Sequence, residues 1–124
     1  MVVWAALAPD RISPAARAAI DGADVVFVSA VSVYEIDSKR RLQTANGWEA
    51  LARLPVDLVA AIPTLGFTLI AVTPTAARIA AQLPIDHRDP WDRLLLGQAS
   101  ELGIALVSSD GNLHRQFAGV PLVW

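Results

Sequence analysis

Short apolar runs recur along the chain and are separated by longer segments rich in alanine and leucine. The runs contain many valine and isoleucine residues and lie at 24–29, 67–72, 104–108 and 121–124. Runs of this length and composition are typical of buried strands. The segments between them have a helical composition, so strands alternate with helices. This alternation predicts a three-layer α/β domain, in which helices cover both faces of a parallel sheet.

The predicted helices carry start signals, a serine, threonine or aspartate directly before the first turn. These residues are Ser13, Ser29, Thr73 and Asp89. Such side chains accept hydrogen bonds from the free N–H groups of the first turn. Gly103 is placed to end the last helix. Segment 40–66 contains two weaker helical stretches, 48–54 and 56–65, and the pattern does not indicate their role.

The composition fits a single domain that spans residues 1–124, with 54% hydrophobic and 18% charged residues. A chain this apolar is expected to cover some of its surface with a second chain, such as a second copy of itself. The net charge of -2 argues against nucleic-acid binding through overall positive charge and leaves room only for a local contact.

Targeting and redox features are sparse in this sequence. The chain contains no cysteine, which excludes disulfides and thiolate metal sites. No segment reaches the roughly 18 apolar residues that span a bilayer. These features predict a cytoplasmic protein that does not contact a membrane.

The segment HRDPWDRLLL, residues 87–96, places two carboxylates before a run of leucines. Asp89 has the position of a helix N-cap, and Asp92 lies in the first turn of the same helix. Asp92 shares a helix face with apolar residues, and an acid there is costly to bury unless it is paired or binds a metal ion. We therefore interpret Asp89 mainly as a cap and Asp92 as a candidate metal ligand.

Two further acids, Glu35 and Asp110, follow predicted strands. In open α/β sheets the carboxyl ends of the strands form the site, so these acids and Asp92 are expected to converge. Simpler interpretations also stay open: Glu35 as a surface residue paired with Lys39, and Asp110 as a turn residue. Clustered carboxylates without thiols or paired histidines favour Mg²⁺ or Mn²⁺.

No other chemistry has a matching motif. The chain has no phosphate-binding loop, dinucleotide fingerprint or nucleophile elbow. His87 and His114 are far apart in the sequence and favour loop or surface positions. The basic run 39–41 is typical of a solvated helix end, with an RNA-phosphate contact as the alternative.

Several segments resemble PIN-domain ribonucleases of the VapC toxin type. They are ISPAARAAI, VFVSAVSVYEI, LPIDHRDPWDRLLLGQASELGIALVSSDGNL and VPLVW, in the order of the family and over nearly the whole chain. The resemblance implies an endoribonuclease that depends on Mg²⁺ or Mn²⁺ and belongs to a bacterial toxin-antitoxin module. RNA is then the substrate, and a cognate antitoxin is the protein partner.

The resemblance also implies a role for individual residues. The acids that match the metal-binding and catalytic positions are Glu35, Asp92 and Asp110. Either Ser108 or Ser109 would be a supporting hydroxyl. Further support is expected from Asp89 and, as phosphate-binding side chains, from Arg93, Arg88 or Arg115.

Proteins of this family begin with a central strand that ends in a metal-binding aspartate. Residues 1–4 of this chain match the segment just after that strand. Two interpretations stay open. In the first, the coding sequence continues upstream for roughly 5 to 12 codons, the length of one strand and its turn, and includes the aspartate. In the second, the chain is a catalytically inactive remnant that only binds an antitoxin or a second copy of itself.

Overall fold

Helices and short strands alternate along the described part of the chain. The structure is a computed structural model that describes residues 12–43, 48–86, 89–108 and 119–124. In chain order the elements are α1 (Pro14–Gly22), β1 (Phe27–Ser29), α2 (Ala30–Leu42), α3 (Trp48–Ala52), α4 (Leu58–Thr64), β2 (Thr68–Ile70), α5 (Pro74–Gln82), α6 (Pro90–Leu102), β3 (Leu106–Val107) and β4 (Leu122–Val123). Each of these helices is too short or too polar to cross a membrane.

The helices begin at the residues that the sequence predicts. The side chains of the N-caps accept hydrogen bonds from backbone N–H groups in the first turn, and these N-caps are Ser13, Ser29, Thr73 and Asp89. Gly103 ends α6 in the left-handed region, with φ of 65°, where a residue without a Cβ atom is favoured. These predictions are confirmed. The sequence suffices for them because each helix end depends on hydrogen bonds between neighbouring residues.

The strands pair in parallel, as predicted. In one pair β1 lies beside β2, with Val28 opposite Leu69. In the other, β3 lies beside β4, with Leu106 opposite Leu122. Each strand is shorter than the apolar run that predicts it, because only part of each run pairs with the neighbouring strand. The helix-flanked parallel arrangement of an α/β fold is therefore confirmed.

The described strands form two two-stranded sheets, whereas the sequence predicts one continuous sheet. A cavity of about 360 Å³ lies between the two pairs. Its walls include residues 25–29 on one side and residues 104–107 on the other, and most of them are apolar. The central strand that the family resemblance implies stays a prediction.

The middle of the chain covers the first strand pair. Leu54, Leu58 and Ile62 pack with Val28 and Ile36 in one hydrophobic cluster. The connection between α3 and α4 is held by Arg40 on α2, whose guanidinium donates to the carbonyl oxygens of residues 54, 55 and 56. The described residues 51–62 therefore close the core beneath β1 and β2.

Helices α5 and α6 approach closely because small residues lie where they cross. Ala76 and Ala80 on α5 are buried at this crossing. A Cβ atom built on Gly97 of α6 would lie 2.3 Å from the Ala76 carbonyl oxygen and 2.9 Å from the Ala80 Cβ. The backbone of α5 occupies the space that any side chain at position 97 would need.

Substitution Gly97→Ala is expected to lower the free energy of unfolding by about 1–3 kcal/mol, the usual cost of overpacking a core. The gain in helix propensity, about 1 kcal/mol, works in the opposite direction and is smaller than the clash. Urea unfolding measures the difference. Gly22→Ala in α1 is the matched control, because its new Cβ would meet no atom within 4 Å. A Gly97→Ala protein as stable as the Gly22→Ala protein would contradict the close packing.

Candidate active site

Two of the predicted acids come from different helices and belong to one electrostatic site. Glu35 lies on α2, which follows β1 directly, and Asp92 lies in the first turn of α6. Both side chains are partly buried. The rings of the preceding residues, Tyr34 and Trp91, contact each other with their centroids 4.8 Å apart. This ring contact brings the two acid-bearing turns together.

The ionisation of Glu35 reflects this environment. Burial raises the pKa of the Glu35 carboxyl above its ordinary value, the Lys39 ammonium lowers it, and the negative charges of Asp92 and Asp89 raise it. The net direction is upward. Burial and the charges of Asp92 and Asp89 mean that Glu35 carries its negative charge at a cost that the Lys39 ammonium offsets only in part.

Lys39 is the partner of Glu35 within α2. Its Nζ lies 3.7 Å from the Glu35 carboxylate, one helical turn away. The Lys39 side chain is 52% exposed and that of Glu35 only 25%. The ion pair that the simpler interpretation predicts is thus present, but it does not make Glu35 a solvated surface residue. An exposed pair of this kind contributes little to stability.

Asp89 is the N-cap of α6, as predicted. Its carboxylate accepts a hydrogen bond of 2.9 Å from the Trp91 backbone N–H. The cap fixes the start of the helix three residues before Asp92 and places a second negative charge near the site. Asp89 therefore acts on the site through the position of α6 and through its charge on Glu35.

Arg93 makes contacts that the sequence did not indicate. Its guanidinium donates to the backbone carbonyl oxygens of Ala81, Leu83 and Ile85, at 3.3, 2.9 and 3.0 Å. Arg93 thereby joins the first turn of α6 to the end of α5 and the loop after it. A phosphate contact by the same side chain stays a prediction.

The predicted residues after β3 are only partly described. Ser108 follows the strand directly, and its backbone N–H donates to the Val123 carbonyl oxygen at 3.1 Å. Ser109 and Asp110 lie outside the described residues, as do His87, Arg88, His114 and Arg115. Within the described ranges no group of three or more histidine, aspartate and glutamate side chains is arranged around a metal position. Asp110 as third ligand stays a prediction.

A buried polar contact at the site was missed at the level of sequence. The Ser29 hydroxyl accepts from the Val31 N–H at 3.0 Å and donates to the Gln98 side-chain oxygen at 2.5 Å. The Gln98 amide nitrogen donates in turn to the Ala71 carbonyl oxygen, at 3.0 Å. The sequence predicted Ser29 only as a helix start. A signal for Gln98 existed, because it is an amide among the apolar residues of LLLGQA.

Comparison with known proteins identifies the family of the chain. The family model of the PIN domain matches residues 2–118. The chain belongs to the PIN-domain family. This PIN-domain protein is also 34% identical, over 123 residues, to Ribonuclease VapC22 of Mycobacterium tuberculosis (strain ATCC 25618 / H37Rv). The match covers 90% of this chain and 85% of the relative. The resemblance to VapC-type PIN proteins is confirmed, and no solved structure gives a significant match.

Replacing Glu35 by glutamine is expected to raise the free energy of unfolding of this PIN domain at pH 7 when EDTA removes divalent ions. The folded-state pKa of Glu35 is raised, so the folded protein bears the cost of the charge above that pKa and not below the unfolded pKa. The advantage of Glu35→Gln should therefore shrink as the pH falls toward 4. Urea unfolding between pH 4 and pH 8 measures it.

Glu49→Gln is the matched control, since Glu49 is an exposed glutamate in the first turn of α3. This control measures the effect of removing a carboxylate that lies outside the site. A Glu35→Gln advantage that is absent at pH 7, or that grows as the pH falls, would show that burial and the neighbouring charges do not raise the pKa of Glu35.

Proposed function

We propose that this PIN-domain protein is the toxin of a toxin-antitoxin module and cleaves RNA in a reaction that depends on Mg²⁺ or Mn²⁺. The observation that carries the proposal is the shared site of Glu35 and Asp92, which come from separate helices in a chain of this family. The relative with 34% identity bears the name ribonuclease. RNA cleavage is the activity that this name and the acid pair support together.

The proposed metal ligands are Glu35, Asp92 and Asp110. The chemistry of the first two fits a hard divalent cation, because carboxylate oxygens are the ligands that Mg²⁺ and Mn²⁺ prefer. Their electrostatics fit as well. Burial raises the pKa of Glu35, as do the charges of Asp92 and Asp89, and a divalent cation between Glu35 and Asp92 would offset the part that comes from these charges. Asp110 follows β3 in the chain and is proposed as the third ligand on the basis of the family resemblance.

When bound, the ion supplies an activated water for attack on the phosphodiester and neutralises charge on the phosphate. The residues of the chain would bind and orient the groups around it. Glu35 and Asp92 would hold the cation, and Asp89 fixes the helix turn from which Asp92 extends. A hydroxyl from Ser108 or Ser109 is proposed to support the ligand set. Arg93, Arg88 or Arg115 would hold phosphate.

A cognate antitoxin is the proposed protein partner, and a homodimer is the proposed assembly, both in the cytoplasm. Several large apolar side chains are exposed, which suits a surface that a second chain covers. The most exposed of those described are Val56 at 92% and Val59 at 61%, beside and within α4. A helical antitoxin segment in an apolar groove would also be able to direct a basic side chain toward the acids.

A second candidate function is binding without catalysis, in which the chain engages only an antitoxin or a second copy of itself. One observation favours it, the exposed apolar side chains. The two candidates differ in one requirement. Catalysis needs a divalent-ion site in this chain, and binding alone does not.

The nuclease proposal predicts that the protein cleaves RNA with Mg²⁺ or Mn²⁺ and not with EDTA. Glu35→Gln, Asp92→Asn and Asp110→Asn should each lower the cleavage rate by at least about 100-fold, since loss of an outer-shell partner alone costs about 10- to 100-fold. Each change removes an anionic ligand and little volume. The rates are measured on labelled RNA, with circular dichroism to show that every variant is folded.

Asp24→Asn is the matched control, because Asp24 is an exposed acid before β1. It should keep the full rate. Undiminished cleavage by any of the three site variants would remove that residue from the proposed ligands. No cleavage and no Mn²⁺ binding in a titration, together with a stable complex with an antitoxin or a dimer in light scattering, would favour the binding-only function instead.

A further inference from the structure

The two acid-bearing helices are joined by a buried chain of hydrogen bonds. We call the pair Ser29 and Gln98 the Ser29–Gln98 clamp. The Ser29 hydroxyl caps α2 and donates to Gln98 on α6, and the Gln98 amide donates to the Ala71 carbonyl oxygen just after β2. The clamp therefore connects the carboxyl ends of both strands in the first pair to α6.

Each end of the clamp lies on a helix that carries one acid. Ser29 caps α2 within two turns of Glu35, and Gln98 lies on α6 within two turns of Asp92. A helix is stiff over two turns, because every residue in it is fixed by backbone hydrogen bonds. The position of Ser29 relative to Gln98 thus sets the position of one acid-bearing helix relative to the other.

The clamp lies in the interior, where loss of a hydrogen bond costs more free energy than at the surface. Ser29 is 7% exposed and Gln98 is 4% exposed, so water does not replace a lost partner easily. Among the described residues no buried side-chain nitrogen or oxygen lacks a hydrogen-bond partner. A buried amide left without its partner costs free energy, so the geometry that satisfies both side chains is strongly preferred.

A restraint of this kind is needed at this position. Glu35 and Asp92 carry like charges, which favours separation of the turns that bear them. The Tyr34–Trp91 ring contact opposes separation, but Tyr34 is 55% exposed and its contact is open to solvent. The Ser29–Gln98 clamp is buried and joins the helices directly.

We propose that Ser29 and Gln98 are positioning residues that hold Glu35 and Asp92 at the separation required to share one divalent cation. The proposal rests on the proposed metal-dependent function of the same acids. The two side chains touch neither the cation nor RNA in this role. They act through the helices, in the way that outer-shell partners orient metal ligands.

The first experiment is a Mn²⁺ titration of the whole chain. Binding is monitored by calorimetry or by the paramagnetic signal of the free ion. Ser29→Ala and Gln98→Met, which keep the core apolar and remove the clamp, are expected to weaken Mn²⁺ affinity about 10- to 100-fold. Ser29→Thr retains the hydroxyl, so its Mn²⁺ affinity should lie within about threefold of that of the original protein. This is a smaller loss than removal of an outer-shell partner causes.

Ser13→Ala is the matched control for the loss of a helix cap. Ser13 caps α1 through a 3.1 Å hydrogen bond from the Ala16 N–H, and α1 carries neither acid. Ser13→Ala and Ser29→Ala each lose one cap, so a purely structural role would lower thermal stability in both without a selective change in Mn²⁺ affinity. The positioning role predicts that only Ser29→Ala loses affinity.

The second experiment needs no metal ion. Tyr34 is the only tyrosine in the chain, so incorporation of 3-fluorotyrosine gives a single ¹⁹F resonance next to Glu35. Its chemical shift depends on the Trp91 ring, and Trp91→Leu calibrates that dependence. Ser29→Ala and Gln98→Met are expected to move the resonance toward the Trp91→Leu position, while Ser13→Ala leaves it in place.

The outcomes separate this proposal from the proposed function. Unchanged Mn²⁺ affinity in both clamp variants, or a ¹⁹F resonance that neither variant moves, overturns the positioning role even when the original protein binds metal and cleaves RNA. An original protein that binds no Mn²⁺ removes the metal-dependent function. In that case the ¹⁹F shifts alone decide whether the clamp sets the approach of α2 to α6.

Discussion

The approach of α2 to α6, which brings the partly buried acids Glu35 and Asp92 into one site, is the constraint on which the described site depends. Two like charges in a partly buried site favour separation of the helices that carry them. Helices α2 and α6 nevertheless stay in contact, and several other interactions hold them together. The arrangement around α6 shows which interactions these are.

Helix α6 is fixed at several points along its length, each by a different kind of contact. At its start Asp89 caps the first turn, and Arg93 binds carbonyl oxygens at the end of α5. Further along, Gly97 lies against the backbone of α5, and Gln98 bonds to Ser29. A helix held in this way cannot turn or slide without breaking several contacts at once. The direction of the Asp92 side chain is therefore a property of the whole helix.

The features that the sequence predicts correctly are those determined locally. Helix starts at Ser13, Ser29, Thr73 and Asp89 follow from the hydrogen-bonding capacity of one side chain and its next few N–H groups. The parallel strands follow from short apolar runs separated by helices. The order of the elements also predicts that Glu35, Asp92 and Asp110 converge; the charge of Asp92 contributes to the raised pKa of Glu35, and the three-acid site stays a prediction.

The features that the sequence does not predict depend on contacts between distant segments. Arg93 was expected to bind phosphate, yet its described partners are carbonyl oxygens, a preference that becomes visible only when α5 ends beside α6. Gln98 gave a weak signal, because an amide within an apolar face has many possible partners. Arg40 shows the same limit, since its three carbonyl acceptors lie in a connection whose path local patterns do not specify.

The use of arginines by the fold also has a consequence for how the protein would respond to ionic strength. The chain has 10 lysine and arginine residues, and two of them, Arg40 and Arg93, donate to backbone carbonyl oxygens within the described structure. Lys39, beside Glu35, is more than half exposed. Each cation that neutralises a phosphate of a bound polyanion releases counterions, and a cation that already donates to backbone carbonyl oxygens is less available for this. In the RNA complex of the proposed function, Arg40 would then add less to the salt dependence of binding than a neighbouring cation that faces solvent, such as Arg41.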